Sequence, residues 1–154
     1  MMNIRVVDHS GEVIEQMNAQ LAAALEEIGL RAEGYAKMKC PVGTAESTGV
    51  QGYRSSGLKQ SITHKVVGTD VYIGTNKNIM INGKRVYYSV YVELGTGIRA
   101  DDNKGRKTPW VWVDKNGKPH KTQGMKPRHF LRDAASQHTA EYKKTIEKYL
   151  KGQG

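Results

Sequence analysis

The sequence predicts an α+β domain, with a long N-terminal helix and a C-terminal helix on a mostly antiparallel β-sheet. Two observations carry that prediction. Apolar residues recur at helical spacing from Ile14 to Tyr35 and again from Leu131 to Tyr149. Between those stretches lie short β-like runs separated by turn residues, among them Gly68-Thr69-Asp70, Asn82-Gly83 and Asn116-Gly117. A third observation bounds the organisation: 154 residues without an internal repeat or linker make one domain, 1–154, with a modest core.

The elements follow in order. Ile4 to Val7 is a short β-like run, and Asp8 to Gly11 is a turn in which Ser10 can cap a helix. Glu12 and Glu15 suit the positive end of that helix. Ile14, Leu21, Ile28 and Tyr35 are seven apart, and Met17, Leu25 and Ala32 widen the same face. The helix should stop near Lys39, because the residue before Pro41 avoids the α region. Gly29 and Gly34 weaken it. Cys40 to Arg54 has no periodicity and is a loop. Ser55 to Ser61 looks like a single capped helical turn.

Two hairpins come next. One joins Ile62–Val67 to Val71–Thr75, and a tighter one joins Ile79–Ile81 to Lys84–Tyr88 through Asn82-Gly83. The stretch Tyr87 to Gly97 has strand-like composition, a lone carboxylate at Glu93 and a glycine exit. Residues 98–108 are charged and lack an apolar pattern, which predicts a flexible loop. Trp110 to Val113 alternates tryptophan and valine and pairs with Lys118 to Thr122. From Arg128 a single helix is expected to run to Gly152.

Composition narrows the functional classes. Hydrophobic residues make up 38% of the chain, and eight tyrosines stand against one phenylalanine. A lean core rich in tyrosine suits a protein that completes its burial against partners. One cysteine excludes an internal disulfide and a Cys-x-x-Cys metal site. No long apolar run or signal-peptide core is present, so a soluble cytoplasmic product is expected. Charge is uneven: residues 1–98 hold 10 Lys or Arg against 9 Asp or Glu, and residues 99–154 hold 14 against 6. A basic half points to a polyanion or to an acidic protein partner, and charge by itself does not separate the two.

Catalytic and cofactor chemistry find little support. Cys40 has no nucleophile signature around it, and His9, His64, His120, His129 and His138 are scattered without metal-ligand spacing. His138 reads as a packed neutral histidine and His129 as a helix start. Asp101-Asp102-Asn103 is too incomplete for a calcium loop. Gly95-Thr96-Gly97 begins a loose dinucleotide fingerprint, but acidic, non-helical sequence follows where a phosphate would need a helix N-terminus. No catalytic residue, cofactor or metal is therefore assigned. Glu93 is expected to pair with Arg or Lys at a packing or subunit contact. Nine Lys or Arg against one acid in residues 104–132, with the tryptophan hairpin among them, suggest a sequence-independent nucleic-acid platform. A strand with Trp110 and Trp112 on one face and valines on the other more simply supplies a sheet core.

Several segments in fixed order resemble a phage family. They are Ala-Lys-Met-Lys-Cys-Pro-Val-Gly (36–43), Thr-Gly (48–49), Ser-Gly-Leu-Lys-Gln-Ser-Ile (56–62) and Ile-Gly-Thr-Asn (73–76). The strongest are Tyr-Val-Glu-Leu-Gly-Thr-Gly (91–97) and Gly-Met-Lys-Pro-Arg-His-Phe-Leu-Arg-Asp-Ala (124–134). Together they resemble the neck or tail-completion proteins of long-tailed phages, the gene-product-ten-like tail components of lambdoid phages, over residues 12–150. The Asn82-Gly83 hairpin and the Trp110–Thr122 hairpin depart from that pattern.

The resemblance implies a structural virion protein with a fold similar to tail terminators. It implies a ring of six copies at the head–tail joint, between connector or head-completion proteins and the tail terminator or tail tube. Assembly would take place in the host cytoplasm, and double-stranded DNA would pass through the lumen without sequence preference. Tyr91, Glu93, Gly95, Gly97, Phe130, Leu131 and Arg132 are then expected as fold or interface residues. Arg99, Lys104, Arg106 and Lys107 are expected to face the channel or a neighbouring subunit.

Overall fold

A computed structural model describes residues 7–43, 56–76, 79–81, 84–101, 103–114 and 116–152. Helix α1 runs over Ser10–Lys39 and is 30 residues long. His9, one residue earlier than expected, occupies the N-cap position, and Asp8 Oδ1 accepts a hydrogen bond from the Ser10 amide at 2.9 Å. The helix ends at extended Cys40, ahead of Pro41, as the steric rule for the residue before proline requires. A single turn, α2 (Gly57–Gln60), leads into the hairpin of β1 (Ile62–Val67) and β2 (Asp70–Thr75). Their register runs from Ile62 opposite Thr75 to Val67 opposite Asp70, closed at Gly68 with φ +61°.

The second hairpin pairs β3 (Ile79–Ile81) with β4 (Lys84–Val86). Its expected Asn82-Gly83 turn lies outside the described residues, as does most of the loop expected over 40–54. Helix α3 (Tyr88–Leu94) follows, then a 3-10 turn at Gly97–Arg99. The third hairpin pairs β5 (Trp110–Val113) with β6 (Pro119–Thr122). Asp114 fixes its turn: Oδ1 accepts the Asn116 and Lys118 amides at 2.8 and 2.9 Å, and Oδ2 meets His120 Nε2 at 2.9 Å. Two helices end the chain, α4 (Phe130–Ser136) and α5 (Thr139–Leu150).

The α+β class is therefore as predicted, and every described strand pairing is antiparallel. The sheet itself is different: the strands form three separate two-stranded hairpins. The core is accordingly built on helices. Ala36, Cys40, Ile62, Val92, Phe130 and Ala134 form a buried cluster, with Tyr35, Leu58, Ile73, Met125 and Leu131 around it. Phe130 is fully buried and is the largest side chain in that cluster. Polar links fasten α1 to the C-terminal helices. Arg31 bonds both Glu27 and Glu141, Tyr35 donates its hydroxyl to Glu141 at 2.6 Å, and Lys39 meets Asp133 at 2.9 Å.

Two elements differ from the sequence expectation. The stretch after β4 is helical, not extended. Ser89 and Val92, three residues apart, are its buried positions, so tertiary contact overrides the strand propensity of Tyr, Val and Leu. The C-terminal helix is broken at Gln137–His138. There His138 stacks on Tyr35 of α1, with ring centroids 3.5 Å apart and planes 4° apart. The Tyr142 hydroxyl reaches back to the Ala134 carbonyl at 2.6 Å, which ties α5 to α4 across the break. Among the described residues, no helix is long and apolar enough to cross a membrane.

Candidate functional site

Two glycine-bearing segments cross next to α3 and α4. Residues 95–97 run beside residues 123–127, joined by Thr96 N to Met125 O at 2.9 Å and Ile98 N to Gln123 O at 3.2 Å. The Thr96 hydroxyl accepts the Met125 amide at 2.9 Å. The backbones approach so closely that side chains are excluded. A Cβ on Gly124 would lie 1.9 Å from Thr96 O, and one on Gly97 would lie 2.3 Å from Gln123 O. Both positions also need a left-handed φ, +106° and +65°, which glycine tolerates best. Gly95, at φ +77°, meets Met125 O and Pro127 in the same way.

Glu93 completes the crossing. Its carboxylate accepts the Leu131 amide at 3.0 Å and the Arg132 amide at 2.8 Å. These are the second and third residues of α4, the donors that an N-cap side chain usually satisfies. The residue in the cap position, His129, has a left-handed backbone (φ +49°) and makes no side-chain cap. Glu93 thus caps α4 from 38 residues away and places a negative charge at its positive end. The expectation that Glu93 holds a Lys or Arg side chain is corrected here. The Arg132 guanidinium instead meets Asp101 at 3.0 Å. Asp101 in turn donates its amide to Leu94 O at 2.8 Å, which anchors the start of the 98–108 loop against α3 and α4.

The tyrosines of this stretch lie at the surface. Only Ser89 and Val92 of α3 are buried, and Tyr87, Tyr88, Val90 and Tyr91 lie on its exposed side. Val90, Tyr91 and Leu94 line an open groove of about 320 Å³. Gly95, Gly97, Lys104, Gly105 and Arg106 also line it. Arg106 sits over the Trp110 ring at 5.8 Å and donates to the Thr108 hydroxyl at 3.3 Å. Lys107 bonds the Asn103 carbonyl at 2.6 Å, and Arg99 is exposed in the 3-10 turn. The structure thus brings Tyr91, Gly95, Gly97, Lys104 and Arg106 together around one groove. It places Glu93, Phe130, Leu131 and Arg132 on the α3–α4 side of the crossing.

The tryptophan hairpin does not supply a sheet core. Val111, Trp112 and Val113 are all exposed, and Trp112 stacks on His120 opposite it with centroids 4.6 Å apart.

Reactive groups are held in structural contacts. Cys40 is buried, and burial pushes its thiol pKa up to about 11, which leaves almost no thiolate at neutral pH. Among the described residues, no three His, Cys, Asp or Glu side chains converge in a way that could hold a metal ion. Sequence reasoning missed one assembly altogether. His64 of β1 bonds Glu33 through Nδ1 at 2.7 Å and Glu26 through Nε2 at 3.1 Å, clamping the first hairpin to α1. Its ring fills the space above Gly29, where a Cβ would lie 2.2 Å from Cδ2. Burial pulls the imidazole pKa down, but the two carboxylate partners outweigh it and the net shift is upward. A glycine on the inner face of a helix was the available signal, and it was read only as a weak point.

No family model, curated protein or solved structure matches this chain.

Proposed function

We propose that this chain is a structural subunit of the head–tail joint of a long-tailed phage, a neck or tail-completion protein that works by assembly rather than catalysis. One observation carries the reading. The two segments with the strongest resemblance to that family, 91–97 and 124–134, meet in space as a single unit: the glycine crossing with its Glu93 cap on α4. Motifs that hold one another in place are what a fold signature requires. The same unit leaves Tyr91, Lys104 and Arg106 on an open groove, a surface suited to a neighbour.

In this reading, copies of the chain form a ring between the connector and the tail tube. The basic loops near Arg99, Lys104, Arg106 and Lys107 face the DNA channel or an adjacent subunit. Attraction to DNA would be independent of sequence and weakened by salt.

The test is genetic and structural. Deleting the gene from its phage should give particles in which heads and tails fail to join. The purified protein should restore joining and be visible by electron microscopy at the joint. Infectious particles formed without the protein would overturn the proposal.

A further inference from the structure

We infer that the free N-terminal half of α1 docks into the Val90–Arg106 groove of a second copy of this chain, making a head-to-tail contact. The inference names the partner of the groove and deepens the assembly reading. It rests on that reading only for its biological setting.

The first observation is an uncovered stripe. Residues 10–19 of α1 are exposed throughout. Val13, Ile14 and Met17 are 52%, 57% and 51% exposed. With Leu21 they lie on one helical face, since positions 13, 17 and 21 are one turn apart and 14 precedes 17 by three. These residues continue the heptad face whose later members, Leu25, Ile28 and Ala32, are buried in the chain's own core. The apolar face thus runs about 15 Å beyond the core that it serves.

The second observation is charge. Residues 7–30 contain Asp8, Glu12, Glu15, Glu26 and Glu27 and no Lys or Arg. An acidic amphipathic helix is repelled by DNA and by anionic lipid, since interfacial helices carry Lys and Arg on their polar face. A protein partner with a basic rim remains. Parallel pairing of two α1 ends would bring like charges together. The groove offers the complement: its lining combines apolar Val90, Tyr91 and Leu94 with basic Lys104 and Arg106. At about 320 Å³ it suits a few inserted side chains, such as Ile14 and Met17, and not a whole helix.

Arm and groove are different patches of one chain, so the contact is heterologous. Repeated, it closes into a ring or runs on as a filament. That geometry gives a test that a symmetric dimer cannot imitate. The arm variant is Ile14→Gln with Met17→Gln. The groove variant is Val90→Gln with Arg106→Gln. All four side chains are exposed, so both variants should keep the wild-type circular dichroism spectrum.

By light scattering across a concentration series, the wild type should form oligomers larger than a dimer, and each variant should be monomeric. Mixed one to one, the two variants should form a heterodimer and nothing larger, because one intact arm meets one intact groove. Any of three results would overturn the inference: a wild type that stays monomeric, an arm variant that assembles like the wild type, or a mixture that remains two monomers. Failure of the phage reading would show separately, as virions that join without a protein that still self-associates.

Discussion

The two halves of α1 have similar heptad patterns and opposite surroundings. From Ala24 to Ala36 the helix is covered by β1, α4 and α5, with Ala24, Ala32 and Ala36 almost fully buried. From Ser10 to Ala19 it touches nothing that buries it. Periodicity shows which face of a helix is apolar. It does not show which molecule covers that face. The covered half ends in the cluster of Ile62, Val92, Phe130 and Ala134, and residues 10–19 of the free half are exposed.

The largest expected effect lies in the covered region. Phe130→Ala removes the largest fully buried side chain, at the first position of α4. A loss of about 3–5 kcal/mol is expected from urea unfolding. A loss below about 1 kcal/mol would mean that the region is not the core of the molecule.

Gly124→Ala tests the crossing directly. The new Cβ would lie 1.9 Å from Thr96 O, with backbone on both sides and a φ of +106°. Neither segment can yield without breaking the Thr96–Met125 bond, so a loss of several kcal/mol or failure to fold is expected. Gly68→Ala is the control. It shares a left-handed φ but has open space around its Cβ, and should cost only about 1 kcal/mol. Equal effects at the two sites would show that φ, not the crossing, is what matters.

Glu93 comes next. Glu93→Ala strips the cap from α4 and leaves the Leu131 and Arg132 amides without an acceptor, for an expected loss of about 2 kcal/mol. Glu93→Gln keeps one carbonyl oxygen to accept and should recover about half of that. If the partner were a Lys or Arg side chain instead, Gln would behave almost like Ala.

His64 gives a smaller, pH-dependent effect. Its folded-state pKa is raised, so the clamp on Glu33 and Glu26 stabilises fully below the unfolded value near 6.5 and is lost as pH rises through the raised value. Lys37 also bonds Glu33 and keeps that carboxylate charged across the window. Urea midpoints should therefore fall as pH rises from below about 6.5 through the raised value. His64→Gln should flatten the profile over that range. A wild-type midpoint that rises with pH would contradict the clamp.

These sites also show what could be read from the sequence. The long helix, the turns at Gly68 and Asn116-Gly117 and the existence of the first hairpin follow from local chemistry and were legible. Glu93 as a cap was not, because its partners are backbone amides, which every residue carries and no side-chain pattern marks. The helix at Tyr88–Leu94 was hidden by strand-prone residues that packing overrides. Gly29 showed only its helix-weakening side until His64 was seen above it. The Trp110–Val113 strand was read as sheet core because alternation signals a buried face without saying that one exists.

The smallest effect is expected in the free half of α1, and its smallness is informative. Ile14→Gln with Met17→Gln removes two large apolar groups, yet in dilute solution unfolding free energy should change by no more than about 0.5 kcal/mol. Neither side chain is covered by its own chain, and glutamine is as good a helix former as methionine. The two proteins should separate only as concentration rises. A partner that binds the folded state alone adds stability by mass action, so the wild-type midpoint should climb with concentration and the variant's should stay flat. A difference present at every concentration would place Ile14 and Met17 inside the monomer's own core. The contrast between the two halves of the helix would then disappear.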